Sequence, residues 1–361
     1  MRGTLRASAA IVVTLGTCAA GIALGAGQPG PSAAAQPRPP TKRAVPRPRA
    51  CPAPRVASAP WLDADRAEDH YDDRARHVAF DVIVNPGADA ELRGKFAYGR
   101  SSHDMEAEWV VALLRTRACG PWLEVGRART DGDGRATIRA PGVRLAAPGR
   151  HEFAFVVPAD GSFALGSVWA LRRGAEVVVF DIDGTLTTGD DEVIAELTVG
   201  SEPEMYEGAN DLARAWASSG RQPVYVTGRP YFLQDSSRRW LEAHGFPPGP
   251  VRTTDQMSDS LTNREHVGRF KRDYLRDLLA RTGVVVAAAY GNALTDVCAY
   301  AEAGIPQART FIIGQYAGAA CDRSPVTQGV RTYPTHLVWA REHLLGRPRP
   351  TPAGPGRSTS R

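Results

Sequence analysis

The sequence predicts an α/β protein, a doubly wound, mostly parallel sheet preceded by a small immunoglobulin-like β-sandwich. Three observations carry that expectation. Between His77 and about Arg172, short apolar or alternating segments are separated by turn residues, the pattern of seven short strands in a sandwich. From Gly174 onward, candidate strands alternate with candidate helices, which implies right-handed βαβ crossovers. Three of these later strands end in polar clusters, Asp181-Ile182-Asp183, Thr227-Gly228-Arg229 and Gly291 through Asp296. In open α/β sheets the C-terminal strand ends are where ligands bind.

At 361 residues, the chain has room for about two domains and tails. Arg2 and Arg6 precede a weakly apolar run ending near Ala33-Ala34-Ala35, the layout of an export signal over 1–35. The expectation is therefore an exported protein, with the signal either cleaved or kept as an anchor. Residues 36–76 read as a Pro/Arg-rich tether followed by an acidic, helix-prone segment. The sandwich is expected over 77–173, the α/β domain over 174–345, and a basic tail over 346–361. The net charge of +5 is uneven: residues 1–60 hold eight Lys or Arg and 345–361 four Arg, without acids, so the body between them is acidic by seven charges. Basic patches that track nucleic acid are not indicated. The tether's charge suits peripheral contact with an anionic membrane, while its composition alone favours a solvated spacer. Cys51, Cys119, Cys298 and Cys321 remain after the signal, an even number compatible with disulfides, which sequence alone does not pair.

Within the first half, strands are expected near Val78–Val84, Glu91–Tyr98, Glu108–Thr116, Trp122–Ala128, Arg135–Arg139, His151–Val157 and Ser167–Leu171. Asp131 and Asp133 resemble the opening of a calcium loop, but the later ligand positions are missing, and a hairpin turn is the expectation. In the second half, strands are expected at Glu176–Phe180, Pro223–Thr227, Val284–Tyr290 and Thr310–Gly314. Helices are expected at Tyr206–Ser219, Phe232–His244, Arg264–Ala280, Leu294–Ala303 and Thr335–Leu345.

Phosphoryl transfer to a carboxylate needs a nucleophilic acid, a second acid for the leaving oxygen, phosphate donors and a divalent cation. Each has a candidate. Asp181 at the strand end would be the nucleophile and Asp183 the acid and base. Thr227, the Gly228 N–H and Lys271 would hold phosphate; Arg229 would join them at the phosphate loop or an acidic headgroup, or equally would pair with an internal Asp. Asp181, Asp183 through its carbonyl, Asn292 and Asp296 would form an oxygen-rich magnesium site. Asp255 and Asp259 match Asp296 in composition; the Gly291-Asn292 context selects Asp296. His103, His151, His244 and His266 lack metal-ligand spacing and read as structural.

The stretch Phe180–Thr187, Tyr225-Val226-Thr227-Gly228-Arg229-Pro230, Lys271, and Gly291-Asn292 through Asp296-Val297 with Gly304-Ile305-Pro306 resemble the four motifs of the haloacid-dehalogenase superfamily in its lipin-type (LNS2) branch. The second and fourth motifs, with Phe311-Ile312-Ile313-Gly314, are similar to the C-terminal domain of retinal-degeneration-B-type phosphatidylinositol-transfer proteins. In those proteins a β-sandwich precedes the domain, and Glu91 through Gly99 looks like its start. The resemblance implies a magnesium-dependent phosphatase of phosphatidic acid or a related lipid phosphate. In the transfer-protein branch the paired aspartates are missing and phosphatidic acid is bound without hydrolysis; here Asp181 and Asp183 are both present, which favours an enzyme. The 36 residues of Thr187–Gln222 are too few for a large cap, so the site should be open. Hydrolysis of a soluble phosphomonoester, or phosphatidic acid binding without turnover, are the alternatives.

Overall fold

Alternation along one strand sets the layers of the α/β body. In β11 (Glu176–Phe180), Val177 and Val179 face one way and Val178 and Phe180 the other. The first pair packs with Leu275 and Leu278 of helix α4 (Arg264–Thr282) and Tyr300 of α5 (Leu294–Glu302). The second pair packs with Leu212 and Trp216 of α2 (Ala209–Ser218), Trp240 of α3 (Gln234–Ala243) and Leu337 of α6 (Tyr333–His343). A strand covered on both faces must be apolar at every position, and each such side chain contributes roughly 1.5–3 kcal/mol on burial.

The computed structural model describes residues 51–71, 74–99, 102–189, 202–255 and 264–346. The export signal, most of the tether, Asp72, Asp73, Asp259 and the basic tail after 346 lie outside these residues. Among the described residues the body's sheet is six-stranded. Its order is β13 (Val251–Arg252), β12 (Gln222–Val226), β11, β14 (Val285–Gly291), β15 (Thr310–Ile313) and β16 (Gln328–Val330). Every pairing in it is parallel. The chain moves outward from β11 to β13 on one side, then returns to lay β14 on the other. The crevice between β11 and β14 is therefore the topological switch point. Strand β11 matches its expected limits, and the edge strands β13 and β16 were not foreseen; at two and three residues they carry no periodic signal.

Ahead of the sheet lies the sandwich. One sheet is β1 (Val78–Phe80), β3 (Ala90–Lys95) and β8 (Arg135–Ala140); the other is β2 (Val82–Val84), β10 (Phe163–Ala170), β9 (Gly149–Val156), β6 (Trp109–Arg115) and β7 (Leu123–Arg129). A short ribbon, β4 (Ala97–Tyr98) with β5 (His103–Asp104), completes it. The expected single strand Val78–Val84 breaks at Asp81, so its halves join different sheets. The Asp131 turn is also corrected: Asp131 Oδ1 accepts from Asp133 N and Arg135 N, as turn chemistry predicts, but the turn links β7 and β8 of different sheets and closes no hairpin. The acidic segment yields helix α1 (Ala64–His70), capped by Asp63.

Sandwich and body form one compact unit. Ile83 and Trp169 from the sandwich join the core beneath α4. Asn85 Nδ2 donates to the carbonyls of Leu171 and Thr282 (both 2.9 Å), and Gln234 Nε2 to Ala79 O (2.7 Å). The cysteines pair as Cys51–Cys119 and Cys298–Cys321.

Candidate active site

β11 ends at Phe180, and the Asp181 N–H still donates to Tyr290 O of β14 (3.0 Å). Asp181 is thus fixed in register at the switch point. Gly184 then reverses the chain at φ +68°, a left-handed conformation open to glycine without steric cost. Its N–H donates to Thr187 Oγ1 (3.0 Å). Thr185 shares its hydroxyl proton between Asp181 Oδ2 (3.1 Å) and Asn292 Oδ1 (3.3 Å). Tyr333 of α6 donates its hydroxyl to the Thr185 carbonyl (2.7 Å), across 148 residues of sequence.

The two paired acids have different surroundings. Asp181 is 2% exposed and accepts at Oδ1 from Lys271 Nζ (2.6 Å). That ammonium also donates to Asp296 Oδ1 (2.7 Å). Burial, then the neighbouring Asp296 charge, push Asp181 well above the usual carboxylate range, against the pull of Lys271. Burial opposes the charge on Lys271, but Asp181 and Asp296 more than offset it and hold the amine above the ordinary lysine value. Asp183 turns the other way. Its Oδ2 accepts from Thr227 Oγ1 (2.7 Å) and its Oδ1 from Arg229 Nε (2.9 Å), with a terminal nitrogen of the same guanidinium in ion-pair contact with Oδ1 at 2.9 Å.

The second and fourth strand ends are built to meet these acids. Thr227 N donates to Arg252 O (2.9 Å) and Thr254 N to Arg229 O (3.0 Å), so the Thr227-Gly228-Arg229 turn is clamped by the chain leaving β13. At the start of α5, Asp296 Oδ2 accepts from the N–H groups of Asn292 and Ala293 (both 3.1 Å), one half of a capping box. Gly291 makes that approach feasible: a Cβ there would lie 2.5 Å from Asp296 Cβ. A cleft of about 310 Å³ opens over Asp181, Asp183, Gly228, Lys271, Asn292 and Asp296.

All eight residues singled out from sequence, Asp181, Asp183, Thr227, Gly228, Arg229, Lys271, Asn292 and Asp296, meet at this edge. Arg229 is 1% exposed and pairs with an internal acid, Asp183, the second of its two expected roles. Asp296, expected at the cation, has both oxygens on protein donors. Thr185 and Tyr333 were assigned no role in the sequence; Thr185 lies within the first motif, but Tyr333 carries no motif to find it by. Asp255 pairs with Arg93 and Arg252 away from the cleft. Among the described residues no group of three or more His, Cys, Asp or Glu side chains is arranged to hold a metal.

Comparison with known proteins agrees with this architecture. Residues 178–314 match the family model for the PITM 1-3 LNS2 domain, and residues 75–169 the PITM 1-3 beta-sandwich domain. The chain is 32% identical over 243 residues to membrane-associated phosphatidylinositol transfer protein 1 of Rattus norvegicus, which covers 67% of this chain and 18% of the relative. Membrane-associated phosphatidylinositol transfer protein 3 of Mus musculus is 32% identical over 246 residues, covering 67% and 24%. Protein retinal degeneration B of Drosophila melanogaster is 30% identical over 246 residues, covering 67% and 18%. The match therefore spans a quarter or less of these relatives' length. These relatives overturn the expectation of an exported protein, the first two being membrane-associated transfer proteins by name; no helix among the described residues is long and apolar enough to cross a membrane. Residues 75–169 and 178–314 are the β-sandwich and LNS2 domains of the PITM 1-3 family, carried in tandem on one chain.

Proposed function

We propose that this chain is a phosphomonoester hydrolase of the haloacid-dehalogenase type, acting on phosphatidic acid or a related lipid phosphate. The observation that carries the reading is the buried contact of Lys271 with Asp181 (2.6 Å, 90 residues apart) beside Asp183 and Thr227 at the switch point. Asp181 attacks phosphorus, the ester P–O bond breaks, and the phosphoryl group stays on its carboxylate. Asp183 gives the leaving alkoxide a proton. It then takes one from the water that attacks the same phosphorus, releasing inorganic phosphate and restoring both acids. Asp183 accepts from Thr227 Oγ1 and Arg229 Nε, so carrying a proton requires it to swing from Thr227 or Arg229. Arg229 is accordingly a positioning residue for Asp183. Lys271, Thr227 and the Gly228 N–H face the phosphoryl oxygens, where fixed donors lower the barrier most.

A magnesium ion fits the donor set. Asp181, the Asp183 carbonyl and Asn292 are hard oxygen donors, with Asp296 behind them, and three carboxylates outnumber the two cations Lys271 and Arg229. Magnesium binds through one or two carboxylates, substrate phosphate and water, without a closed protein cage. When bound it would neutralise charge on the phosphoryl oxygens.

The relatives' naming as transfer proteins favours a second reading, phosphatidic acid binding without turnover. Phosphate release decides between the two, measured with magnesium on phosphatidate vesicles and on a water-soluble phosphomonoester. Release from vesicles that Asp181→Asn abolishes supports the lipid phosphatase. Release from the soluble ester alone moves the substrate class, and vesicle binding without release from either leaves the binding module. Peripheral contact of the basic tether with anionic lipid predicts vesicle binding that weakens with salt and survives Asp181→Asn.

A further inference from the structure

One wall of the cleft is fastened from outside the chemistry. β15 runs into Gly314, Gln315 and Tyr316, all of which line the cleft. Gln315 is exposed and Tyr316 half-buried, so both offer side chain to whatever enters. The adjoining wall, Asn292–Asp296, begins α5, and from the second turn of that helix Cys298 is bonded to Cys321, with Cα atoms 4.9 Å apart. Between β15 and β16 the intervening segment is bonded largely to itself. Thr327 N and Oγ1 both donate to Ala319 O (2.9 Å), Ser324 N donates to Cys321 O (2.8 Å), and Cys321 N to Ser324 Oγ (3.0 Å). A small apolar cluster of Val297, Ile312 and Cys321, with Tyr316 and Ala319 against it, surrounds the disulfide.

We propose that Gln315 and Tyr316 select the group attached to the phosphate, and that the Cys298–Cys321 disulfide holds them in place, so that thiol redox state tunes substrate affinity. The inference rests on reading this cleft as the phosphate site. Asp181, Lys271 and Asp183 are fixed by contacts the segment does not make. Loss of the bond therefore loosens the wall and leaves the reacting groups in place. Reduction takes two electrons and two protons from a dithiol. Its thiolate attacks the half-buried Cys298 sulfur and frees the buried Cys321 thiol; its second thiol displaces Cys298 and leaves as a cyclic disulfide.

The test compares the oxidised full chain, the Cys298→Ser/Cys321→Ser variant, and Tyr316→Ala with the disulfide intact. Hydrogen exchange over 314–327 should rise in the double-serine variant alone. KM for the phosphomonoester should rise about fivefold or more in both variants with kcat within about twofold, and affinity for inorganic phosphate should stay unchanged. Dithiothreitol on a Cys51→Ser/Cys119→Ser background should reproduce the double-serine result. Unaltered exchange would show that the disulfide does not hold the wall; raised exchange with unaltered KM would show that the wall does not meet substrate. Should the wild-type chain release no phosphate, the hydrolase reading fails by itself, and phosphatidate-vesicle affinity, read across the same variants, decides this proposal in the same way.

Discussion

At the seam between sandwich and body, Asp81 is buried and fully occupied. Ser167 N (2.7 Å) and an Arg238 guanidinium nitrogen (2.8 Å) donate to Oδ1, and Val251 N (2.9 Å) to Oδ2. At the cleft, Asp181 is as deeply buried but has Lys271 and Thr185 for donors and a second carboxylate, Asp296, on the same ammonium. The seam encloses a larger cavity, about 600 Å³, yet its walls carry charges that neutralise one another, such as Arg139 with Asp89 and Arg281 with Asp277. A buried charge whose donors are complete holds structure. A buried charge that faces another of its own sign across an open cleft is poised to take a cation or a reacting group.

The largest test of that contrast is Asp181→Asn. On the proposed mechanism, phosphate release falls by at least about 10³-fold, while chemical denaturation shows stability unchanged or raised, because one of two repelling acids is gone. Asp81→Asn should do the reverse. It takes one of Arg238's two counter-charges, Asp235 being the other, and turns an amide NH2 towards one of the donors that Asp81 accepts from, at a cost of about 1–3 kcal/mol, seen as a lower denaturation midpoint, with the folded fraction keeping its kcat.

Lys271→Met comes next. It strands Asp181 and Asp296 as buried charges, at a cost of roughly 3–5 kcal/mol. Lowering the pH should restore much of that loss by protonating one acid, and a denaturation series from neutral to acid pH measures it. A loss that stayed constant with pH would show that packing of the lysine stem, and not its charge, is what matters.

How much of this contrast was legible in the sequence follows from what each region asks of its residues. The cleft uses short, ordered motifs, because strand ends and tight turns must carry particular donors; Asp181, Asp183, Thr227 and Asn292 could be read directly. Lys271 sat among Arg269 and Arg272 on a helix, and only folding shows that it points inward while they do not. The seam left one trace, the acid that interrupts Val78–Val84. Its partners Ser167, Arg238 and Val251 lie 86, 157 and 170 residues away, so no local pattern could connect them. Tyr333 is hidden for the same reason.

Protons separate the regions too. Burial pushes His77 down to about 4, against the pull of Asp160. Its Nδ1 accepts from Ala97 N (3.3 Å) while Nε2 faces Ser162 and Tyr98, an arrangement that has no place for a second ring proton. Burial likewise lowers His336 to about 4. For a depressed folded value, the stabilisation is complete above the unfolded value of 6.5 and is lost as pH falls towards 4, about 3 kcal/mol for His77. Asp181 has the opposite sign. Its raised folded value gives stability that is full below the ordinary carboxylate value and is lost as pH rises through the folded one. Melting curves across pH 4–7 should therefore flatten at the acid end in His77→Gln, and Asp181→Asn should remove the loss on the rising side.

The smallest effect distinguishes two glycines within the cleft itself. At Gly291 an added Cβ would meet Asp296 Cβ at 2.5 Å and its Cγ at 2.8 Å. Asp296 cannot retreat, because Lys271 holds one oxygen and the N–H groups of Asn292 and Ala293 hold the other. At Gly228 the same methyl would meet Val267 Cγ1 at 2.8 Å and Cγ2 at 3.0 Å, a half-buried β-branched side chain on the rim whose stiff χ1 leaves a shift of the first turn of α4 to relieve the contact. Gly291→Ala should therefore cost about 1–3 kcal/mol and displace Lys271 through Asp296, lowering kcat as well as the melting temperature. Gly228→Ala should cost less stability and act on KM, since the methyl narrows the cleft beside the phosphate donors without reaching an anchored acid. Equal losses of stability at the two positions would mean that Asp296 yields as easily as a valine, and the fixed network assigned to the cleft would not exist.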